Sequence, residues 1–437
     1  MKQNTYGSPA MLLALMLAST AAWSQTNSQS SAPSPEQRDA ATLEVLISEA
    51  WTNNPEVRLY EAAVSGARGE LITAKTWDNP EVSITPGAVQ TTEHGFPRTG
   101  FHGDFGVSQT FLFPGKRALQ KAVAEKTIES RQLALSAFRT QLAIQVHRLF
   151  YRLLAARQVV ALRQRHVELA QSFLDAAKKK VEGGFAPEFE QTKAEVDVAA
   201  GKKSLREAHA EEAVARTALN SLVGRKLDAP VTIVGEFSES ASVPDELTLI
   251  KHALSQNPSL KIQAAEVERS GLSLALTKKS RLPDFTVGPS VEYREGEQIY
   301  GLGVSLPLPL WDKKKGAIST ATAEQQRTLA ELETLRRDII REVSSAAHLL
   351  AAARESLDIY TPAFREKLKS ALDNASQSYA EGRTSLLVFL EAERTYYDTE
   401  AGYYETLQRL YDAQAALEAG LGMPLNELEK TKPSTNK

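Results

Sequence analysis

Residues 116–181 contain neither proline nor glycine. As one helix rising 1.5 Å per residue, such a stretch would run about 99 Å, too long to bury inside an ordinary domain. Val146, Leu153, Val160, Val167, Leu174 and Val181 recur every seven residues, with Leu142, Leu149, Ala156, Ala170 and Ala177 in the complementary seam. A 4,3 apolar spacing sustained over several heptads demands helical partners packed as a coiled coil. Residues 317–381 repeat the pattern through Ile339, Val343, Ala346, Leu350, Ala353, Leu357, Tyr360 and Phe364, with Pro362 as the one irregularity. The chain is therefore expected to be mostly α, built on long coiled-coil helical hairpins.

Other markers double as well. Asn54-Pro55 returns as Asn257-Pro258, Pro80 as Pro283, Phe113-Pro114 as Leu308-Pro309, Gly184 as Gly382, Ala194 as Ala392 and Gly224 as Gly422. A period of about 200 residues is far beyond any solenoid repeat, so it signals two tandem copies of one large unit. The offset shortens between Pro80 and Pro114, which places an insertion in the first copy there. The expected organisation is a first repeat over 40–230, a short equatorial element over 231–245 and a second repeat over 246–428. A tail follows at 429–437.

Between the early helices and the long helix of each copy the period switches to two. Phe285, Val287, Pro289, Val291 and Tyr293 alternate with Asp284, Thr286, Gly288, Ser290 and Glu292. Tyr300, Leu302, Val304, Leu306, Leu308 and Leu310 alternate with Gly301, Gly303, Ser305 and Pro307, and Phe105, Val107, Phe111 and Phe113 share a face in the first copy. Val82, Ile84 and Ala88 mark a weaker partner strand. These lengths suit tilted transmembrane strands with an apolar outer face and a small, polar inner one; a hairpin packed on a soluble core is the alternative. Four strands in lipid leave unsatisfied edges. Two chains would supply eight strands and three would supply twelve, and the small inward residues favour the wider barrel.

Composition removes other classes. With 51 Lys+Arg against 54 Asp+Glu the chain lacks the basic excess that phosphate neutralisation requires, so no nucleic-acid partner is expected. Cys is absent, which excludes disulfides, thiolate metal sites and a Cys-linked lipid. Lys2, the apolar run Ala10–Leu17 and the small residues Ala21 and Ala22 read as an export signal over 1–24, followed by a Ser/Gln/Pro-rich flexible linker over 25–39.

Each long helix ends at a glycine turn, Glu182-Gly183-Gly184 or Glu381-Gly382, where a second helix of about 35 residues starts back as a helical hairpin. The tandem copies, the Asn-Pro pairs, the Phe113-Pro114-Gly115-Lys116-Arg117 junction and the tip pattern from Tyr379 through Gly382, Ser385, Leu386, Val388, Leu390, Glu391 and Ala392 resemble the outer membrane efflux proteins, the TolC family. The resemblance spans residues 40–428 and is nearest the CzcC-like heavy-metal branch. It implies a homotrimeric duct in the outer membrane, with a twelve-stranded α/β-barrel, a large periplasmic helical tunnel and contact with lipid. The implied partners are a periplasmic adaptor, or membrane fusion protein, and an inner membrane pump of the RND type. It also implies adaptor docking at Gly183, Gly184, Phe185, Gly382, Arg383, Thr384, Ser385 and Leu386. A pore constriction is implied at Glu391, Glu190 and Arg383. The family closes its tunnel with acids one turn apart; here Glu391 matches the deeper position while Val388 occupies the upper one, and Glu190 and Lys193 take the two places in the first copy. Arg383 is alternatively a tether across the closed tip, and Glu391 a partner of Arg394.

No catalytic constellation supports an enzyme and no cofactor is expected: HExxH, a phosphate-binding loop and a Gly-x-Ser-x-Gly turn are all missing from the sequence. His94 and His102 read as residues of the first hairpin's outer loop. His147, His166, His209, His252 and His348 lack a second His at helical spacing, so no metal site is expected. Lys178, Lys179 and Lys180 read as a solvated face. The runner-up function is a soluble periplasmic coiled-coil adaptor or scaffold.

Overall fold

The computed structural model describes residues 40–93, 96–237, 244–294 and 296–430. The expected export signal, the whole of the linker, residues 238–243 of the equatorial element, His94 and most of the tail lie outside them. Helices α1 (Leu43–Asn53) and α2 (Pro55–Lys75) lead to strands β1 (Glu81–Glu93) and β2 (Phe96–Phe111), then to α3 (Lys116–Glu182) and α4 (Glu188–Val223). The order then repeats as α5 (Glu246–Gln256), α6 (Pro258–Lys279), β3 (Phe285–Arg294), β4 (Glu297–Ser305), α7 (Lys315–Asp358), α8 (Pro362–Ala380) and α9 (Leu386–Leu421), closing with α10 (Leu425–Lys430). The extra length of the first copy is strand: 13 and 16 residues in β1 and β2 against 10 and 9 in β3 and β4.

The doubled Asn-Pro has a doubled job. Asn54 Oδ1 caps α2 by accepting from the Glu56 N–H (2.8 Å), while its Nδ2 donates to the Leu222 carbonyl at the end of α4 (2.9 Å). Asn257 does the same for Ser259 (2.8 Å) and for Gly420 of α9 (2.8 Å). Proline at the first helical position needs no N–H partner, and each buried amide is satisfied on both sides. Gly224 and Gly422 end α4 and α9 with positive φ (80° and 75°). A Cβ on Gly422 would fall 2.2 Å from Pro258 Cδ. Asn-Pro and Gly are thus two halves of one contact, made once per copy.

Core residues follow the same symmetry. Leu46 and Ala50 of α1 pack with Leu142, Val146 and Leu153 of α3 and with Ala215 and Leu219 of α4. Leu249 and Ala253 of α5 pack with Ile339, Val343 and Leu350 of α7 and with Leu417 and Leu421 of α9. Tyr411 of α9 crosses into the first cluster and stacks on Tyr151 at 3.7 Å between centroids. The Val234 N–H donates to the Ala41 carbonyl (3.3 Å), so the stretch after α4 returns to the start of the described chain.

One expectation fails. The second long helix is not continuous over 317–381 but breaks at Ile359–Thr361, where Thr361 Oγ1 caps α8 by accepting from the Phe364 N–H (3.1 Å). Pro362 lacks the N–H an uninterrupted helix would use and its ring blocks the preceding turn. Past the break the expected seam residue Phe364 is exposed.

The four long strands form one antiparallel sheet in the order β1-β2-β3-β4. Ile84, Phe105, Val291 and Tyr300 lie in one cross-strand row, and Ser83, Gly106, Ser290 and Gly301 in the next. The face expected to continue through Leu306, Leu308 and Leu310 stops as strand at Ser305, because Pro307 and Pro309 cannot donate to a ladder. His102 is also corrected: it sits within β2, not in a loop, with Nδ1 3.7 Å from Glu292 of β3.

Candidate functional site: the sheet faces and the helical tips

The sheet is two-sided. Val82, Ile84, Phe101, Phe105, Leu302 and Val304 are exposed apolar residues, and Tyr300 on the same face is 74% accessible. The opposite face carries Ser83, Asp104, Ser108, Thr286, Ser290 and Glu292. Where strands meet helices, Trp77 packs edge-on to Phe111 (5.9 Å), Phe111 stacks on Phe285 (5.5 Å) and Arg117 lies 3.6 Å over the Trp77 ring. Lys116, 5% exposed, anchors this junction: Nζ donates to Asp284 Oδ1 (2.8 Å) and to the Leu282 carbonyl (2.7 Å). Gly115, at φ 86°, lets Lys279 lie where a Cβ would be. The Phe-Pro-Gly-Lys-Arg motif therefore joins the first copy's long helix to the second copy's strand. Among the described residues no helix is long and apolar enough to cross a membrane.

Both tips are closed by the same backbone device. Gly184 and Gly382 adopt φ of 74° and 71°. The Phe185 N–H reaches back to the Lys180 carbonyl and the Arg383 N–H to the Ser378 carbonyl, each at 2.8 Å, the bond pattern of a glycine-terminated helix. Phe185 stands 87% exposed and Leu387 and Val388 are exposed as well. Leu386, expected among the docking residues, is 2% exposed and packs with Phe173, Tyr379 and Phe389 beneath the tip. Arg383 pairs with Glu381 of its own turn (2.5 Å) rather than across the tip.

Tyr379 is the hub between the two hairpins. Its hydroxyl donates to Glu190 of α4 (3.2 Å), and its carbonyl accepts from Lys180 of α3 (3.1 Å), whose ammonium also lies 3.9 Å from the ring centre. Burial and the Glu190 carboxylate push the Tyr379 phenol up to about 12. Lys180 is thus a bridging residue, not part of a solvated face. Glu190, expected in the constriction, is half-buried under this bond, whereas Glu391 is exposed on α9. Arg394 pairs with Asp398 (3.6 Å).

Two residues on from Glu391, the helix turns inward. Glu393 is 1% exposed and meets His166 of α3 and Asp197 of α4. Local spacing could not reveal this trio, because each member stands alone on its own helix. The sequence signal that was available is an acid at a position whose neighbours Phe389 and Tyr397, four residues either side, are core residues.

A family model of outer membrane efflux proteins matches residues 46–225 and 249–423, once per copy. The cobalt-zinc-cadmium resistance protein CzcC of Cupriavidus metallidurans is 25% identical over 391 residues, covering 88% of this chain and 91% of that one. Among solved structures the chain is similar to CusC, with TM-score 0.72 and 15% identity over 87% of this chain and 92% of that one. It is similar also to the CmeC outer membrane channel of Campylobacter jejuni, with TM-score 0.74 and 14% identity over 87% of this chain and 85% of that one. The repeated helix–hairpin–helix order, the two-sided sheet and a family match to both copies agree: the chain belongs to the outer membrane efflux protein family.

Proposed function

We propose that three copies of this chain close their sheets into a twelve-stranded barrel in the outer membrane. The helices continue it as a periplasmic tunnel, forming the passive exit duct of a tripartite efflux system. The observation that carries this reading is the sidedness of the sheet. One face is exposed and apolar, suited to lipid, and the other small and polar, suited to water. β1 and β4 end the sheet with open edges, which hydrocarbon does not tolerate and neighbouring copies would pair. The aromatic cluster of Trp77, Phe111 and Phe285 suits the membrane–water boundary.

Residues 40–230 and 246–428 act as the two repeats, and the start of the element between them packs at the waist through Val231, Ile233 and Phe237. The tips at Gly183–Phe185 and Gly382–Ser385 dock a periplasmic adaptor, with Leu386 supporting them from below, and an RND-type inner membrane pump drives transport. Glu391, Glu190 and Arg383 line or support the constriction. Heavy-metal cations are the favoured cargo: CzcC is by name a resistance protein for cobalt, zinc and cadmium, and Asp104 and Glu292 on the polar sheet face would attract cations.

The test is the detergent-corrected mass, by light scattering, of protein purified from isolated outer membranes. A trimer supports the duct. A monomer or dimer in the periplasmic fraction would favour an adaptor or scaffold. A strain lacking the chain, compared for metal and drug sensitivity, then tests the cargo.

A further inference from the structure

His166, Asp197 and Glu393 come from three helices, α3, α4 and α9, and from both halves of the chain. His166 Nε2 lies 3.6 Å from a Glu393 oxygen and 4.0 Å from an Asp197 oxygen. One ligating atom of each residue lies within 4.8 Å of the other two. The Asp197 and Glu393 carboxyls face one another closely enough to share a proton, and neither Glu393 oxygen nor Asp197 Oδ2 meets an N–H or hydroxyl donor; His166 Nδ1, on the Gly201 side of the ring, is likewise buried without one. Buried carboxylates in folded proteins are normally bonded or paired, so two carboxylates set against each other and against the Nε2 edge of His166 ask for a cation.

The donor set states what kind. One imidazole and two carboxylates, without thiolate, suit a borderline divalent ion such as Zn²⁺ or Co²⁺, with water completing the shell. Bonds of about 2.0–2.2 Å separate neighbouring ligands by roughly 3.0–3.5 Å, so the trio stands slightly expanded and would close on an ion by small side-chain rotations. The His166 ring is held by stacking on Tyr397 at 4.5 Å, and Gly201 of α4 leaves room beside its Nδ1. Arg163 and Asp398, the other charged groups near the ring, pair with one another at 3.5 Å.

We infer that His166, Asp197 and Glu393 bind one divalent transition-metal ion per chain, clasping the first helical hairpin to α9. Eight residues separate Glu393 from the tip residue Ser385, about 12 Å along the helix, so the bound ion resists the parting of the tips. The site lies within a single chain and does not depend on trimer formation or on the identity of the cargo.

Full-length protein in detergent, stripped with EDTA and dialysed, should bind Zn²⁺ by calorimetry at one ion per chain. Glu393→Gln and Asp197→Asn should each weaken binding at least tenfold while keeping the wild-type far-UV circular dichroism. Zn²⁺ should raise the melting temperature of wild type and not of the variants, since an ion held only by the folded chain stabilises it. Absence of saturable binding, or one-per-chain binding that survives both substitutions, overturns the assignment. Should Glu393→Gln not fold, Asp197→Asn decides alone, because Asp197 is partly exposed and its amide is isosteric.

Discussion

The Tyr379 hydroxyl donates to the Glu190 carboxylate across 3.2 Å, joining the last turn of α8 to the first turn of α4. A hydrogen bond to a charged acceptor contributes about 1.5–3 kcal/mol. Tyr379→Phe keeps the buried ring, the backbone bond to Lys180 and the packing on Phe173. It is expected to loosen only the link between hairpins. In planar bilayers the substitution should raise the fraction of time spent in high-conductance states by about fivefold or more; wild-type gating would show that this bond does not hold the tip.

Glu391 provides the contrasting case, an exposed carboxylate that the proposed trimer would repeat three times around its axis. Charged rings in narrow pores attract cations and repel anions. Glu391→Ala should lower cation selectivity and change single-channel conductance, measured in the same bilayers. Reversal potentials equal to wild type would remove Glu391 from the constriction.

Lys116 and Asp284 form a buried link between the two copies, and the Phe113 N–H also donates to Asp284 Oδ1 (2.6 Å). Removing one member of a buried pair costs about 3–5 kcal/mol; with Asp284 partly exposed, about 3 kcal/mol is expected for Lys116→Met. The measurement is thermal unfolding followed at a helical wavelength. The variant should melt at lower temperature, whereas Lys121→Met, at an exposed ion pair on the same helix, should change little.

His147 gives the fold a pH dependence. Burial beside Tyr151 and Tyr411 pushes its imidazole down to about 4. Above the unfolded value near 6.5 both states are neutral and His147 contributes nothing. Below it the unfolded chain takes a proton that the folded chain refuses, so stability falls toward pH 4 at up to about 1.4 kcal/mol per unit. His147→Gln should reduce the drop in melting temperature between pH 7 and pH 5. An unchanged drop would assign the acid sensitivity to other groups.

Much of the architecture was legible because its causes are local. Helix length needs only the absence of Pro and Gly, as in α3, and strand faces need only alternation, as in Phe285–Tyr293. The Asn-Pro and Gly markers could be paired as repeats, yet their physical connection, an Asn amide closing the end of another helix, appeared only with the fold. The burial of Leu386 and the bridging contact of Lys180 were not legible for a related reason. A tip sequence shows which residues turn, not which of them the second hairpin covers.

The sequence by itself determined the doubling, the long helices, the hairpin tips and the four alternating strands, since each follows from hydrophobic period and backbone permissiveness within one segment. Only the tertiary structure decided that α7 and α8 are separate helices and that Tyr379 joins two tips. It alone brought His166, Asp197 and Glu393 together. Such contacts join side chains from elements far apart along the chain, and their positions depend on how helices cross, which no local spacing records.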